Sequence, residues 1–313
     1  MATRFTASGV AYAVRSAGRG GASAPTVVLA HGTGLAKEIW RPLERHLLED
    51  GDDLPGLRVV ACDLPWHGES RAGASPSPHR ERGNTWLRPT GGDWAAEIPS
   101  ALLEVVDDLG SRGPVFGVGH SLGGASLVIS EQLRPGAFAG LVLAEPVLLP
   151  WWSKVFVAAL GTPQARSTAK PRDAWPTRGA ALASIAKGVG AAWDEDVVRA
   201  YVDGCTRVSD DDGSVALRCA REDESAIFAN CGDTDAITKV GAVACPTLVA
   251  AGERSGFPLN AVRATTYYRR LAARFPNADF AVVPGADHNL PCEAPAALAA
   301  LVRGHVARHA GTS

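Results

Sequence analysis

The chain has 313 residues, 46% of them hydrophobic and 20% charged, enough to bury roughly three quarters of its unfolded surface without a disulfide or metal staple. Thirty-one basic against thirty-three acidic residues leave a net charge of −2, which gives no electrostatic reason to expect nucleic acid or an anionic membrane as partner. The 34 glycines and 21 prolines are spread along the chain, so they mark tight turns rather than a low-complexity segment.

The N-terminal MATRFTASGV lacks the apolar core of a signal peptide. Apolar runs such as Gly140 to Trp152 are too short and too punctuated by proline to span a bilayer. A soluble cytoplasmic chain is therefore expected, with Cys62, Cys205, Cys219, Cys231, Cys245 and Cys292 as free thiols.

Val10 to Arg15 reads as an early edge strand, and Thr26 to Ala30 as a buried strand ending at His31-Gly32. Helical spacing of Ile39, Leu43 and Leu47 places a helix over Lys37 to Leu48. A strand over Leu57 to Asp63 follows, then a polar loop from Arg71 to Gly92 long enough to be functional. Ile98, Leu102, Val105, Val106 and Leu109 share a face of a helix over Asp93 to Leu109. Val115 to Val118 is a strand, Leu122 to Leu133 a helix and Leu141 to Leu143 a strand. From Pro146 to Val243 the rhythm changes to short helical stretches, with Trp151, Trp152, Trp175 and Trp193, an acidic turn at Ser209 to Gly213 and no convincing strand. It then resumes with a strand at Pro246 to Ala251, a helix at Asn260 to Phe275, a strand at Asp279 to Val283 and a helix at Ala294 to Ala310, where Leu298, Leu301, Val302 and His305 share a face. This is the pattern of one α/β core, residues 1–146 and 243–313, interrupted by a helical cap at 147–242. An insertion after a parallel strand stands over the carboxyl edge of the sheet, where such sheets bind ligands.

Gly119-His-Ser-Leu-Gly123 fits G-x-S-x-G between a predicted strand and a predicted helix, the context a nucleophile elbow requires. Such a turn strains the serine and leaves room only for glycine two places to either side. A serine hydroxyl needs a base, and eight histidines are available. His31, His67 and His120 belong to local turn motifs, while His46, His79, His305 and His309 read as solvated residues of helix surfaces or the polar loop. His288 follows the last strand, in a loop on the same side of the sheet as Ser121, and is the candidate base.

On His31-Gly-Thr-Gly34, Asp63-Leu-Pro-Trp-His-Gly-Glu-Ser70, Gly119 to Gly124 and Gly285-Ala-Asp-His288, the chain resembles the α/β-hydrolase-fold serine hydrolases over nearly its whole length. Gly140 to Pro146 and His31 to Pro42 are similar to the hydrolases of fungal toxin pathways and their bacterial relatives. The resemblance implies a mostly parallel eight-stranded sheet flanked by helices, a helical cap inserted after strand six, and a catalytic triad in the chain order serine, acid, histidine. Most members place an aspartate shortly after the glycine that ends strand seven; here that stretch is Ala251-Gly-Glu-Arg-Ser-Gly-Phe257, with Ser255 and Gly256 in its place. A minority resemble this chain in carrying a glutamate just after strand six, the position of Glu145, which is the favoured acid beside Glu253 and Asp287. The implied oxyanion donors are the backbone N–H groups of Leu122 and Thr33, with Gly34 a near alternative. Gly32, Gly34, Trp66, Trp151 and Trp152 are candidate substrate-binding residues, although the tryptophans serve equally as core.

The expected activity is esterase- or lactonase-like cleavage of a fairly apolar small molecule through a Ser121-His288-Glu145 acyl-enzyme, with no cofactor, metal, nucleic acid or membrane partner. The alternatives are a carbon–carbon bond hydrolase of the meta-cleavage-product type, which the His31 to Gly34 loop also resembles, and a ligand-binding protein on the same fold.

Overall fold

The computed structural model describes residues 2–16, 23–49, 54, 56–70, 94–149, 174–230, 235–256 and 263–311. The chain begins with β1 Arg4–Phe5, β2 Ala11–Ser16 and β3 Thr26–Ala30, then a 3-10 turn Lys37–Trp40 that runs into α1 Arg41–Glu49. Next come β4 Arg58–Cys62, α2 Trp94–Asp108, β5 Val115–His120, α3 Leu122–Leu133 and β6 Gly140–Ala144. An inserted segment follows, holding β7 Ala174–Trp175, α4 Arg178–Lys187, α5 Glu195–Cys205, β8 Thr206–Val208, β9 Val215–Leu217, α6 Arg221–Asn230 and a second 3-10 turn, Ala236–Ala242. The α/β rhythm returns with β10 Thr247–Gly252, α7 Ala264–Ala272, β11 Ala278–Val283, the short α8 Leu290–Glu293 and α9 Pro295–His309.

Eight strands form one sheet in the order β1-β2-β4-β3-β5-β6-β10-β11. Only the β1–β2 and β2–β4 pairings are antiparallel. The central strands are apolar at nearly every position because both faces of the sheet are covered. Alternation then sorts their side chains. Val27, Leu29, Val59, Ala61, Phe116 and Val118 join one buried cluster with Leu43 and Leu47 of α1 and Leu298, Val302 and Val306 of α9. Val28, Ala30, Val60, Cys62, Leu141 and Leu143 join the other with Ile98, Leu102 and Val105 of α2, Val128 of α3 and Leu271 of α7. Each fully buried Val, Leu, Ile or Phe among them contributes about 1.5–3 kcal/mol by leaving water. The carboxyl ends of β3, β4, β5, β6 and β10 are thereby held along one edge.

Several expectations need correction. Val10 to Arg15 is not the edge of the sheet, since β1 pairs outside β2. The inserted segment is not purely helical: β7, β9 and β8 form a three-stranded antiparallel sheet. Its strands are two or three residues long, too short for an alternating pattern to register, and the acidic turn Ser209 to Gly213 is the hairpin joining β8 to β9. His305 is buried, at 2% exposure, with its Nε2 3.2 Å from the Pro246 carbonyl. The 71–92 loop, Trp151, Trp152, His79, Cys231 and the expected helix start at Asn260 lie outside the described residues. The five described cysteines are free thiols. No described helix is long and apolar enough to cross a membrane.

The inserted segment packs on both sides of the core: Trp175, Ile185, Trp193, Val197 and Tyr201 extend the α1–α9 cluster, and Ile227, Ile237 and Val240 join the α2–α3 one. Arg41 and Arg45 of α1 pair with Asp203 and Asp196 of α5 at 3.0 and 2.8 Å.

Candidate active site

Among the described residues, three other than glycine have left-handed backbone, Trp66, Ser121 and Glu145, and each follows the carboxyl end of an interior strand. Such conformations cost on the order of 1–3 kcal/mol each and persist only where the surroundings enforce them. Ser121, at φ 51° and ψ −112°, joins β5 directly to α3. Its N–H donates to the Ala144 carbonyl at 3.0 Å, and its own carbonyl accepts from Ala125 and Val147, each at 3.1 Å. The flanking glycines are required by contact: a Cβ on Gly119 would lie 2.6 Å from the Gly124 backbone, and one on Gly123 would lie 2.2 Å from the Ala30 carbonyl oxygen.

The His288 imidazole bridges the other two candidates. Its Nε2 is 3.3 Å from Ser121 Oγ and its Nδ1 is 2.6 Å from Glu145 Oε2. Glu145 is fully buried and is held by further donors: Ser255 Oγ donates to Oε2 at 2.8 Å and the Gly252 N–H to Oε1 at 2.8 Å. Three donors on one carboxylate offset the cost of removing its charge from water. The other two acids are used elsewhere. Glu253 accepts from the Gly285 N–H at 2.9 Å, and Asp287 accepts from the backbone N–H of His288 at 2.7 Å, so neither takes the imidazole proton.

Local histidines hold the loops around this centre. His120 Nε2 donates to the His288 carbonyl at 3.0 Å, and burial, with His288 adding, pushes the His120 pKa down to about 3. It therefore stays neutral and tethers the His288 loop. His31 donates from Nδ1 to the Gly32 carbonyl at 2.8 Å and accepts from the Leu64 N–H at Nε2, 3.1 Å away. His67 donates from Nδ1 to the Pro65 carbonyl at 2.9 Å and accepts the Gly34 N–H at Nε2, 3.0 Å away. Burial pushes His67 down to about 4 and His31 well below the usual histidine range, so both keep fixed neutral tautomers.

The Gly34 amide is thus engaged and is not available as an oxyanion donor. Among the described residues the N–H groups of Thr33 and Leu122 have no acceptor. Gly32 brings that loop onto the elbow: a Cβ there would lie 2.7 Å from His120 Nδ1 and 3.3 Å from Ser121 Cβ. Trp66 is partly buried and packs against the α2–α3 side cluster.

Beneath the loop lies a buried clamp. Asp63 accepts from the Lys37 N–H at 2.7 Å, Lys37 Nζ at 2.9 Å and the Glu69 N–H at 2.8 Å, tying the segments after β3 and β4 together. Burial raises the Asp63 pKa to about 6 against the opposing pull of Lys37. Burial also works against the Lys37 charge, but Asp63, Glu38 and Glu69 hold its ammonium above the ordinary lysine range.

Sequence reasoning named Ser121, His288 and Glu145, and the structure brings them together. It missed Ser255 as a donor to the acid and His67 as the anchor of the 31–34 loop. The signals were present, a serine where an aspartate is usual and a histidine in Asp63 to Ser70, but the partners are 110 and 33 residues away.

A hydroxyl, an imidazole and a carboxylate in this order can pass a proton from Ser121 to His288 while Glu145 stabilises the resulting imidazolium. Residues 27–301 match the model of the Alpha/beta hydrolase family. The chain belongs to that family. Among curated α/β-hydrolase relatives, it is 34% identical to lipase LipV of Mycobacterium tuberculosis over 132 residues, 42% of this chain and 41% of the lipase. It is 27% identical to the type I acyl-CoA thioesterase mpaH of Penicillium roqueforti over 177 residues, 55% of this chain and 38% of the thioesterase. These matches span about two fifths of each relative's own length. The peroxisomal alpha-beta-hydrolase Lpx1 of Saccharomyces cerevisiae superposes with a TM-score of 0.75 at 21% identity, over 97% of this chain and 83% of that one, a likeness of fold.

Proposed function

We propose that this α/β-hydrolase is a serine hydrolase that cleaves a carboxylic ester or lactone of a fairly apolar small molecule through an acyl-enzyme. The observation that carries the reading is the position of His288 between Ser121 Oγ and Glu145 Oε2, at 3.3 and 2.6 Å. Ser121 Oγ attacks the acyl carbonyl as its proton passes to His288 Nε2. The Nδ1–H donated to Glu145 fixes the tautomer and stabilises the imidazolium. The tetrahedral oxyanion is received by the N–H groups of Thr33 and Leu122, the latter at the N-terminus of α3, where the helix dipole also favours negative charge. The carbon–oxygen bond breaks as His288 returns the proton to the departing alkoxide. Water, activated by the same imidazole, then releases the acid and restores Ser121.

No step draws on a cofactor or metal, and the partner in this reading is the small-molecule substrate alone. In this reading the segment 147–242 acts as a cap over the carboxyl edge of the sheet and Trp66 supplies apolar surface to the substrate pocket, while Trp151 and Trp152 lie outside the described residues. The lipase and thioesterase relatives, both named for acyl-ester or acyl-thioester chemistry, support an acyl substrate.

Incubation with a fluorophosphonate followed by peptide mapping tests the nucleophile. A stoichiometric adduct on Ser121 that blocks turnover of acyl esters is the expected result; turnover that survives the adduct, or an adduct elsewhere, overturns the reading. A panel of acyl esters, macrolactones and vinylogous diketones then separates ester from carbon–carbon cleavage.

A further inference from the structure

His67 takes no part in the acyl-transfer steps, yet it is buried beside the loop that carries Thr33. Two turns meet there. Gly32 to Leu35 closes with the Leu35 N–H on the Gly32 carbonyl at 3.3 Å, and Leu64 to His67 closes with the His67 N–H on the Leu64 carbonyl at 3.0 Å. Each has left-handed backbone at its third residue, Gly34 at φ 76° and Trp66 at φ 67°, as a type II turn requires. A tryptophan in that position is strained, and such strain persists where surrounding bonds enforce it.

Two imidazoles stitch the turns together reciprocally. His31 donates from Nδ1 to the Gly32 carbonyl of its own turn at 2.8 Å and takes the Leu64 N–H of the other turn on Nε2 at 3.1 Å. His67 donates from Nδ1 to the Pro65 carbonyl of its own turn at 2.9 Å and takes the Gly34 N–H of the other on Nε2 at 3.0 Å. The two buried rings meet edge to face with centroids 5.1 Å apart. An Nε2 that accepts a backbone N–H carries no proton, so both rings are neutral with the proton on Nδ1. Burial keeps them so: it outweighs Asp223, which pulls His67 toward the charged form, and His67, His120 and Lys37 push His31 further from it.

These bonds fix the peptide planes on either side of Thr33. The Gly32 carbonyl and the Thr33 N–H belong to one planar trans peptide, so a bond that pins the carbonyl on one side aims the N–H to the other. His31 pins that plane, and His67, through the Gly34 N–H, pins the next. We propose that His67 is a positioning residue for the oxyanion hole: with His31 it locks the Thr33 N–H toward the developing oxyanion before the reaction begins. The proposal rests on the acyl-transfer reading of Ser121. One preorganised donor is worth about 10²- to 10³-fold in rate, and a displaced donor forfeits part of that. The Lys37–Asp63 clamp ties the same two segments at another point, so a change at His67 alone leaves them joined.

The test compares His67→Asn with His67→Gln in the full chain. The asparagine amide reaches about as far as Nδ1 and the glutamine amide about as far as Nε2, so only glutamine can offer the Gly34 N–H an acceptor. kcat and KM are measured with one 4-nitrophenyl ester, and kcat is divided by the number of sites that a fluorophosphonate labels at completion, so a misfolded fraction drops out. Ki is measured for the trifluoromethyl ketone of the same acyl group; Ser121 Oγ adds to its carbonyl as the hydroxyl proton passes to His288, which places a hemiketal oxyanion in the hole. His67→Asn should lower kcat per site by about 10- to 100-fold with KM within about threefold, and weaken the ketone by a similar factor. His67→Gln should recover all but about threefold of both losses. Equal kcat per site in the two variants, a loss confined to KM, or ketone affinity that does not follow kcat would each overturn the role of His67 and leave the acyl-transfer reading in place. A wild-type chain in which Ser121 stays unlabelled and no ester is turned over would overturn that reading and this proposal with it.

Discussion

The ends of β6 and β10 are neighbours in the sheet, paired from Leu141 with Thr247 to Ala144 with Ala250, yet they contribute opposite chemistry to the same carboxylate. The end of β6 supplies the carboxylate that meets His288, Glu145. The end of β10 supplies donors to it, the Gly252 amide and the Ser255 hydroxyl. Adjacent strands lie about 4.8 Å apart, so side chains from either end can reach one imidazole nitrogen. What the imidazole requires is a carboxylate oxygen at one point in space, and a glutamate from one strand can fill it while its neighbour offers only hydrogen bonds. Left-handed backbone at Glu145, φ 47°, helps direct the side chain across the gap.

Removing the acid is the strongest way to break this comparison. On the proposed mechanism Glu145→Gln should lower kcat/KM by about 10³- to 10⁴-fold, since the imidazole loses both its tautomer control and its stabilised cation. Glu253→Gln, whose carboxylate serves a turn amide, should stay within about threefold. Steady-state kinetics on the two variants decide the matter, and the reverse order would move the acid to the β10 side.

A smaller effect is expected from moving the acid across. Glu145→Ser combined with Ser255→Asp exchanges the duties of the two strand ends, and should recover about 10- to 100-fold in kcat/KM over Glu145→Ser alone. No recovery would mean that the turn after β10 cannot bring a carboxylate to Nδ1, and that the division of labour is imposed by backbone geometry.

The smallest effect concerns how β10 is anchored. His305 meets the Pro246 carbonyl, directly before β10, and burial pushes its pKa down to about 4; burial pushes His67 and His120 to about 4 and 3. In the unfolded chain these histidines titrate near 6.5, so below that pH the unfolded state binds more protons than the folded one. Stability is therefore present above about pH 6.5 and is lost as pH falls toward about 4, by up to about 1.4 kcal/mol per pH unit for each histidine. His305→Gln should reduce that slope by about one proton in denaturant unfolding measured across the range; an unchanged slope would show that His305 does not take part.

Much of the core was legible because its signals are local. The alternation that splits Val27 and Leu29 from Val28 and Ala30 onto opposite faces lies within five residues, and G-x-S-x-G with its strand and helix lies within twenty. The three-stranded sheet of the inserted segment was not legible, since two- and three-residue strands carry too little pattern, although Asp211-Asp-Gly213 between Val208 and Val215 was a usable hairpin signal. His305 was misread as solvated because a histidine on an apolar helix face looks the same in sequence whether or not a carbonyl waits for it.

By itself the sequence pointed to the parallel core, the strand-to-helix turn at Ser121 and a histidine at the same sheet edge, because strand periodicity and turn sterics depend on neighbours along the chain. Only the tertiary structure set Glu145, rather than Glu253 or Asp287, within hydrogen-bond distance of His288 and engaged the Gly34 amide with His67. Those outcomes depend on distances of about 3 Å between segments that are remote in sequence, where hydrogen-bond energy falls away within fractions of an ångström and no local pattern records the partner.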